Sequence, residues 1–112
     1  LSHPVGAVYG THHGTTNAVV MPAVLRFNRP AVEERLGRAA AYLGVAGGFE
    51  GMLARVEELN ALFGFPPGLG AMGVEAARVP ELARMAAEDP TAGSNPVPLD
   101  ASAAERLYEA AM

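Results

Sequence analysis

The chain has 112 residues, which corresponds to one small domain at about 100–200 residues per domain. Half of the residues are hydrophobic and the formal net charge is −4. This composition excludes a charged disordered chain and argues against a binder of nucleic acid or of anionic membranes. Cysteine is absent, which excludes disulfides, thiolate metal sites and a cysteine nucleophile. No apolar run approaches the roughly 20 residues of a membrane-spanning helix, and we expect a cytoplasmic protein.

The segment of residues 17–27 is apolar at nearly every position. Short apolar runs are compatible with either a buried helix or a buried strand. We favour a helix that is covered on nearly all sides, because no other segment offers a strand to pair with.

Helix start and stop signals dominate the middle of the chain. Asn28 is a good N-cap residue and Pro30 suits a first turn, so a separate helix is predicted over residues 30–43, ended by Gly44. A wide apolar stripe predicts the strongest helix over residues 49–63.

The last third of the chain continues the helical pattern. A helix is predicted over residues 80–88 with Leu82 and Met85 facing inward, followed by a proline-rich loop over residues 90–98. Asp100 is the predicted N-cap of a final helix that runs to the C-terminus, and Ser102 with Glu105 forms an alternative capping box. The sequence therefore predicts an all-α fold of four or five helices without a sheet.

Three histidines, His3, His12 and His13, fall near the N-terminus. Histidine is a common ligand of zinc and iron and the usual proton carrier near neutral pH. Adjacent side chains diverge in regular structure, so His12 and His13 are not expected to reach the same metal ion. Spacing alone favours polar surface histidines, whereas the flanking Gly10 and Gly14 favour a tight loop that fixes one side chain in place.

Residues 2–28 resemble the second signature of the iron-containing alcohol dehydrogenases. The shared features are the stretch around His3-Pro4, the His-His-Gly turn that ends at Gly14, and an Asn17-Ala18 pair that leads into an apolar helix with an internal proline, Pro22. Residues 89–99 also resemble the late Asn-Pro loop of this family, which precedes its final helix.

The resemblance implies a dehydroquinate-synthase-like two-domain enzyme, with residues 1–112 in the C-terminal part of its helical metal-binding domain. An N-terminal domain that binds NAD or NADP, and three of the four metal ligands, would lie outside this chain. The chain would begin one helical turn after one of those ligands. By itself it is therefore not expected to oxidise alcohols.

The same resemblance implies roles for single residues. His13 matches the last of the histidines that hold a divalent metal, iron or zinc. His3 matches a histidine near the reacting carbon, with a proton-relay or positioning role. Thr91, which stands where some members have a cysteine, and Asn95 match the loop that faces the nicotinamide, while His12 is assigned no role.

The whole protein would then interconvert small alcohols with aldehydes or ketones, using NAD or NADP, as a homo-oligomer without nucleic-acid or membrane partners. A different class of function stays open from the residues alone. The chain contains no glycine-rich phosphate-binding fingerprint, so the alternative is a non-enzymatic all-helical interaction module.

Overall fold

The computed structural model describes residues 1–112 and contains helices, turns and loops but no strand. The α-helices are α1 (Ser2–Tyr9), α2 (His13–Tyr42), α3 (Gly48–Leu62), α4 (Val79–Glu88) and α5 (Ala101–Ala110). Short 3₁₀-helices lie in the connections at Gly70–Met72, Ala76–Arg78 and Pro90–Ser94. The predicted all-α fold of four or five helices is confirmed. None of the helices has the length and apolar character needed to cross a bilayer.

The hydrophobic core lies between α1, α2, the segment that begins at Leu69, and the packed pair of α4 and α5. Its largest fully buried apolar side chains are Val5, Leu69, Leu82 and Tyr108. Leu82 therefore faces inward as predicted, while Met85 is half-buried. The hydroxyl of Tyr108 donates a hydrogen bond to the backbone oxygen of Leu1 at 2.7 Å, which links α5 to the start of α1.

The predicted helix start at Asn28 is wrong, because α2 runs without a break through Pro22 and Pro30. The helix over residues 17–27 is confirmed and the strand alternative is discarded. The side chain of Asn28 is buried and bonds to a distant loop rather than to the first turn of a helix. α2 packs against α1, α3 and α5, and such tertiary packing outweighs local capping signals.

Pro22 leaves one backbone carbonyl of α2 without its usual hydrogen-bond donor in the helix. Proline has no backbone N–H, so the oxygen of Ala18 lacks the bond that residue 22 would otherwise donate. The side chain of Asn60 on α3 supplies the missing donor, with its Nδ2 2.7 Å from the Ala18 oxygen. The contact satisfies the carbonyl and joins the end of α3 to α2.

Burial along α2 and α3 is less complete than the apolar sequence predicts. In residues 17–27, Val19, Val20 and Ala23 are buried, but Met21 is 41% exposed. Near the end of α3, Leu62 and Phe63 are exposed. α3 has α2 as its main neighbour, so only one narrow face of its wide apolar stripe is covered.

The final helix begins where the capping signal predicts. The carboxylate of Asp100 accepts a hydrogen bond from the backbone N–H of Ala103 at 2.7 Å, so Asp100, and not the alternative Ser102 box, caps α5. α5 ends at Ala110, two residues before the predicted end. The segment before Leu69 passes close to the C-terminal end of the chain. A Cβ atom at Gly68 would lie 2.2 Å from the backbone oxygen of Met112, so any other residue at this position would clash with it.

We predict that Asn60→Ala lowers the free energy of unfolding by about 0.5–1.5 kcal/mol, because the Ala18 carbonyl loses its donor. The loss should be smaller in a Pro22→Ala background, where the alanine provides the backbone N–H that the proline lacks. Urea unfolding of the four proteins in this double-mutant cycle measures the difference. Equal losses in both backgrounds would contradict the assignment of Asn60 as the replacement donor.

Candidate functional site

The two histidines singled out from the sequence lie side by side. His3 is in the first turn of α1 and His13 is the first residue of α2. Their ring centroids are 5.2 Å apart and the ring planes differ by 20°, so the rings are stacked. The chain turns between the two helices at Gly10, whose φ of 65° is a conformation that glycine adopts without steric penalty.

His12 points elsewhere, as its adjacency to His13 predicts. It is the N-cap of α2, and its Nδ1 accepts a hydrogen bond from the backbone N–H of Thr15 at 3.4 Å. The fully buried Thr16 donates to the Thr11 hydroxyl at 2.9 Å and fixes the turn from within. The start of α2 thus uses His12 for capping and leaves the His13 ring next to His3.

A cavity of about 500 Å³ opens beside the two stacked rings. All four residues assigned by resemblance line it: His3, His13, Thr91 and Asn95. The remaining lining residues are Leu1, Ser2, Asn17, Val20, Met21, Val24, Ala92, Ser94, Pro96, Leu99 and Leu107. The volume lies within the range of about 300–1,000 Å³ that is usual for small-molecule sites.

Asp89 also belongs to this site, although no role was predicted for it from the sequence. Its Oδ2 lies 2.7 Å from Nδ1 of His3, although the two residues are 86 positions apart. Its Oδ1 accepts hydrogen bonds from the backbone N–H of Thr91 at 2.8 Å and from the Thr91 hydroxyl at 2.6 Å. The one local signal was the Asp-Pro-Thr sequence, which favours a turn that the aspartate side chain caps.

The pKa of the Asp89 carboxyl is held well below its ordinary value of 3.8. The largest causes are the hydrogen bonds from the hydroxyl and the backbone of Thr91, and the hydrogen bond to His3 follows. Each of these bonds favours the charged form of the carboxyl. Asp89 therefore carries its negative charge throughout the neutral pH range.

Asn95 is held by a reciprocal pair of hydrogen bonds with Asn28. Each side-chain amide donates to the other's oxygen, at 2.8 Å in both directions. The Nδ2 of Asn95 also donates to the backbone oxygen of Val97 at 2.6 Å. These contacts occupy both amide hydrogens of Asn95 and hold the loop after α4 against α2.

His13 is the residue that the resemblance assigns to the metal ion. Its ring lines the cavity and contacts His3 by stacking. Within residues 1–112 no group of three or more histidine, aspartate or glutamate side chains is arranged to hold a metal. Residues 1–112 therefore do not contain a complete metal-ligand set.

Comparison with known proteins identifies the family. The family model described as "Fe-containing alcohol dehydrogenase family, C-terminal" matches residues 1–112, the whole chain. The chain belongs to the iron-containing alcohol dehydrogenases. The family match agrees with the resemblance found in the sequence.

Several members of this family are similar in sequence and fold. The chain is 37% identical to lactaldehyde reductase of Escherichia coli (strain K12) over 105 residues, covering 86% of this chain and 27% of that protein. It is 39% identical to NAD-dependent methanol dehydrogenase of Bacillus methanolicus over 103 residues, with the same coverage. A crystal structure of 1,3-propanediol oxidoreductase matches 99% of this chain and 31% of its own, with 30% identity and a TM-score of 0.92. The chain therefore spans less than a third of the length of these relatives.

We predict that Asn28→Ala lowers the free energy of unfolding by about 1–3 kcal/mol, because the side-chain oxygen and one amide hydrogen of Asn95 lose their partners. Amide hydrogen exchange over residues 90–98 should speed up at the same time. Arg38→Ala is the matched control: it removes an exposed ion pair with Glu34 on the same helix and should change stability by about 0.5 kcal/mol or less. Unchanged exchange in the loop of the Asn28 variant would contradict its anchoring role.

We predict that Asp89 makes stability depend on pH in the acid range. Because its pKa is lower in the folded than in the unfolded protein, its stabilisation is complete above about pH 4 and is lost as the pH falls further. The unfolding free energy of the wild type should therefore fall more steeply below this pH than that of Asp89→Asn. Urea unfolding at a series of acid pH values tests this, with Glu88→Gln as a control of equal charge change. Parallel curves for the wild type and Asp89→Asn would refute it.

Proposed function

We propose that residues 1–112 work as the C-terminal part of the helical metal-binding domain of a metal-dependent alcohol dehydrogenase. The whole protein interconverts small alcohols with aldehydes or ketones, with NAD or NADP held by an N-terminal domain outside these residues. One observation carries the proposal: His3, His13, Thr91 and Asn95, all assigned by resemblance, line one cavity. Relatives named for lactaldehyde, methanol and 1,3-propanediol support a small alcohol as substrate.

His13 contributes one imidazole to a divalent metal, iron or zinc. The donor type fits, since neutral imidazole suits both metals. In this proposal the other ligands come from residues outside the chain, which agrees with the absence of a larger ligand cluster within residues 1–112. When bound, such a metal acts as a Lewis acid that polarises the carbonyl or alcohol oxygen of the substrate.

His3 accepts and releases the substrate hydroxyl proton. Its ring lines the cavity beside His13, so it is next to the group that the metal polarises. A histidine suits this task because it changes charge near neutral pH.

Thr91 and Asn95 lie on the cofactor side of the cavity in this proposal. The loop that carries them is fixed at both residues, by Asp89 and by Asn28. Thr91 donates its hydroxyl hydrogen to Asp89, so its oxygen remains an acceptor for the cofactor. Both amide hydrogens of Asn95 already form hydrogen bonds within the protein. In this proposal Asn95 therefore contributes to cofactor binding by holding the loop in shape and by offering the second lone pair of its side-chain oxygen as an acceptor.

Apolar side chains of the cavity contact the carbon chain of the substrate. Val20 and Val24 from α2 line the cavity together with Leu99 and Leu107. An apolar wall excludes water and strengthens electrostatic interactions at the adjoining polar groups. In this proposal α2 forms an apolar wall of the cavity next to the metal position.

Contact with further protein is part of the proposal. The most exposed large apolar side chains are Tyr42, Leu43, Leu62 and Phe63, at 65% to 92% exposure. We propose that the N-terminal domain or a second copy in a homo-oligomer covers part of this surface. The alternative function, a non-enzymatic helical module, gains no support from the family match.

The three histidines provide the test in the whole enzyme. His13→Ala should lose both bound metal and turnover, because it removes one metal ligand. His3→Ala should keep its metal but lose turnover by about 100-fold or more, the usual effect of removing an acid–base group. His12→Asn is the matched control: it retains an N-cap side chain and should keep both metal and turnover.

Elemental analysis and steady-state kinetics with NAD or NADP measure the outcome. If the His12 variant loses the metal while the His13 variant keeps it, the assignment of the ligand is shifted by one residue. If all three variants retain metal and turnover, the proposed site is refuted.

A further inference from the structure

The two oxygens of Asp89 contact different parts of the molecule. Oδ1 accepts both hydrogen bonds from Thr91 and so caps the short 3₁₀-helix Pro90–Ser94. Oδ2 is not needed for that cap and lies 2.7 Å from Nδ1 of His3. A residue that served only the turn would leave its second oxygen to solvent, yet the Asp89 side chain is only 12% exposed.

The geometry points to Asp89 as a positioning residue that holds His3 in the tautomer with its hydrogen on Nδ1, leaving Nε2 free to take and return the substrate proton. A carboxylate only accepts hydrogen bonds, so the hydrogen between the two groups belongs to the ring nitrogen. In a neutral ring the other nitrogen is then the acceptor. This inference rests on the proposed function for the part that concerns the substrate proton.

Two contacts together define the orientation of the His3 ring. Stacking on His13 fixes the plane of the ring, with 20° between the two planes. Stacking alone is compatible with a half-turn of the ring, which exchanges its nitrogen and carbon edges. The hydrogen bond to Asp89 selects one of the two orientations and thereby determines where Nε2 lies.

The loop, in turn, holds Asp89 in place. The hydroxyl and the backbone N–H of Thr91 both bind Oδ1, so the carboxylate cannot rotate without losing two hydrogen bonds. Such outer contacts commonly orient and polarise the histidines of active sites. The proton-carrying role of His3 thus depends on a residue that follows α4, far away in the sequence.

Asp89→Asn separates the two roles of the side chain. Its amide oxygen still accepts from Thr91 and keeps the turn. Its amide NH₂ replaces Oδ2 and can only donate. The amide then donates to Nδ1 of His3, so the ring hydrogen should move to Nε2.

Nuclear magnetic resonance of the metal-free protein with ¹⁵N-labelled histidine rings measures the tautomer directly, at a pH where the ring is neutral. The His3 signals are assigned with His3→Gln. We expect the Nδ1–H tautomer to predominate in the wild type and the Nε2–H tautomer to predominate in Asp89→Asn. Asp100→Asn is the matched control, because it changes another N-cap carboxylate, and its His3 tautomer should match the wild type.

The wild-type measurement is decisive even if Asp89→Asn fails to fold. A predominant Nε2–H tautomer in the wild type overturns the inference. So does a tautomer population that is the same in the wild type and in a folded Asp89→Asn protein.

Kinetics of the whole enzyme separate this inference from the proposed function. Asp89→Asn should lower kcat by about 10- to 100-fold, the usual cost of losing the outer partner of an active-site histidine, while bound metal is retained. A switched tautomer with unchanged kcat would refute the proton-carrying role of His3. In that case the assignment of Asp89 as the residue that sets the tautomer would stand.

Discussion

The site depends on how the loop after α4 is held against the first two helices. Asp89 bonds to His3 in α1, and Asn95 bonds to Asn28 in α2. Each of these polar groups meets a partner in the protein, so none is left buried and unpaired. Together the two contacts hold the loop residues that line the cavity in a fixed position relative to the histidine pair.

Local sequence signals were sufficient for most of the helices but not for the contacts between them. The N-cap at Asp100 and the helix over residues 49–63 follow from patterns within a few positions, and the structure agrees with both. The helix α1 was missed because Pro4 and Gly6 interrupt its short apolar pattern. Asp89 was missed as a partner of His3 for a different reason: a contact across 86 positions leaves no trace in local spacing.

The continuity of α2 shows how tertiary packing decides between conflicting local signals. Asn28 and Pro30 have the residue types of a helix start, and these local signals predict that one helix ends and another begins there. In the folded chain, the Asn28 amide forms reciprocal hydrogen bonds with Asn95 instead of capping a new helix. The carbonyl that Pro22 leaves unpaired is satisfied by Asn60 from the neighbouring helix. At Pro22, the neighbouring helix thus supplies the hydrogen-bond donor that the proline removes.

The two adjacent histidines show how a helix start distinguishes neighbouring side chains of the same type. An N-cap side chain folds back towards the free N–H groups of the first turn, as His12 does towards Thr15. The next residue already has helical geometry, and its side chain leaves the helix in another direction. His13 therefore reaches the ring of His3, although nothing in the His-His pair itself distinguishes the two. The position of the helix boundary, one residue earlier or later, decides which imidazole faces the cavity.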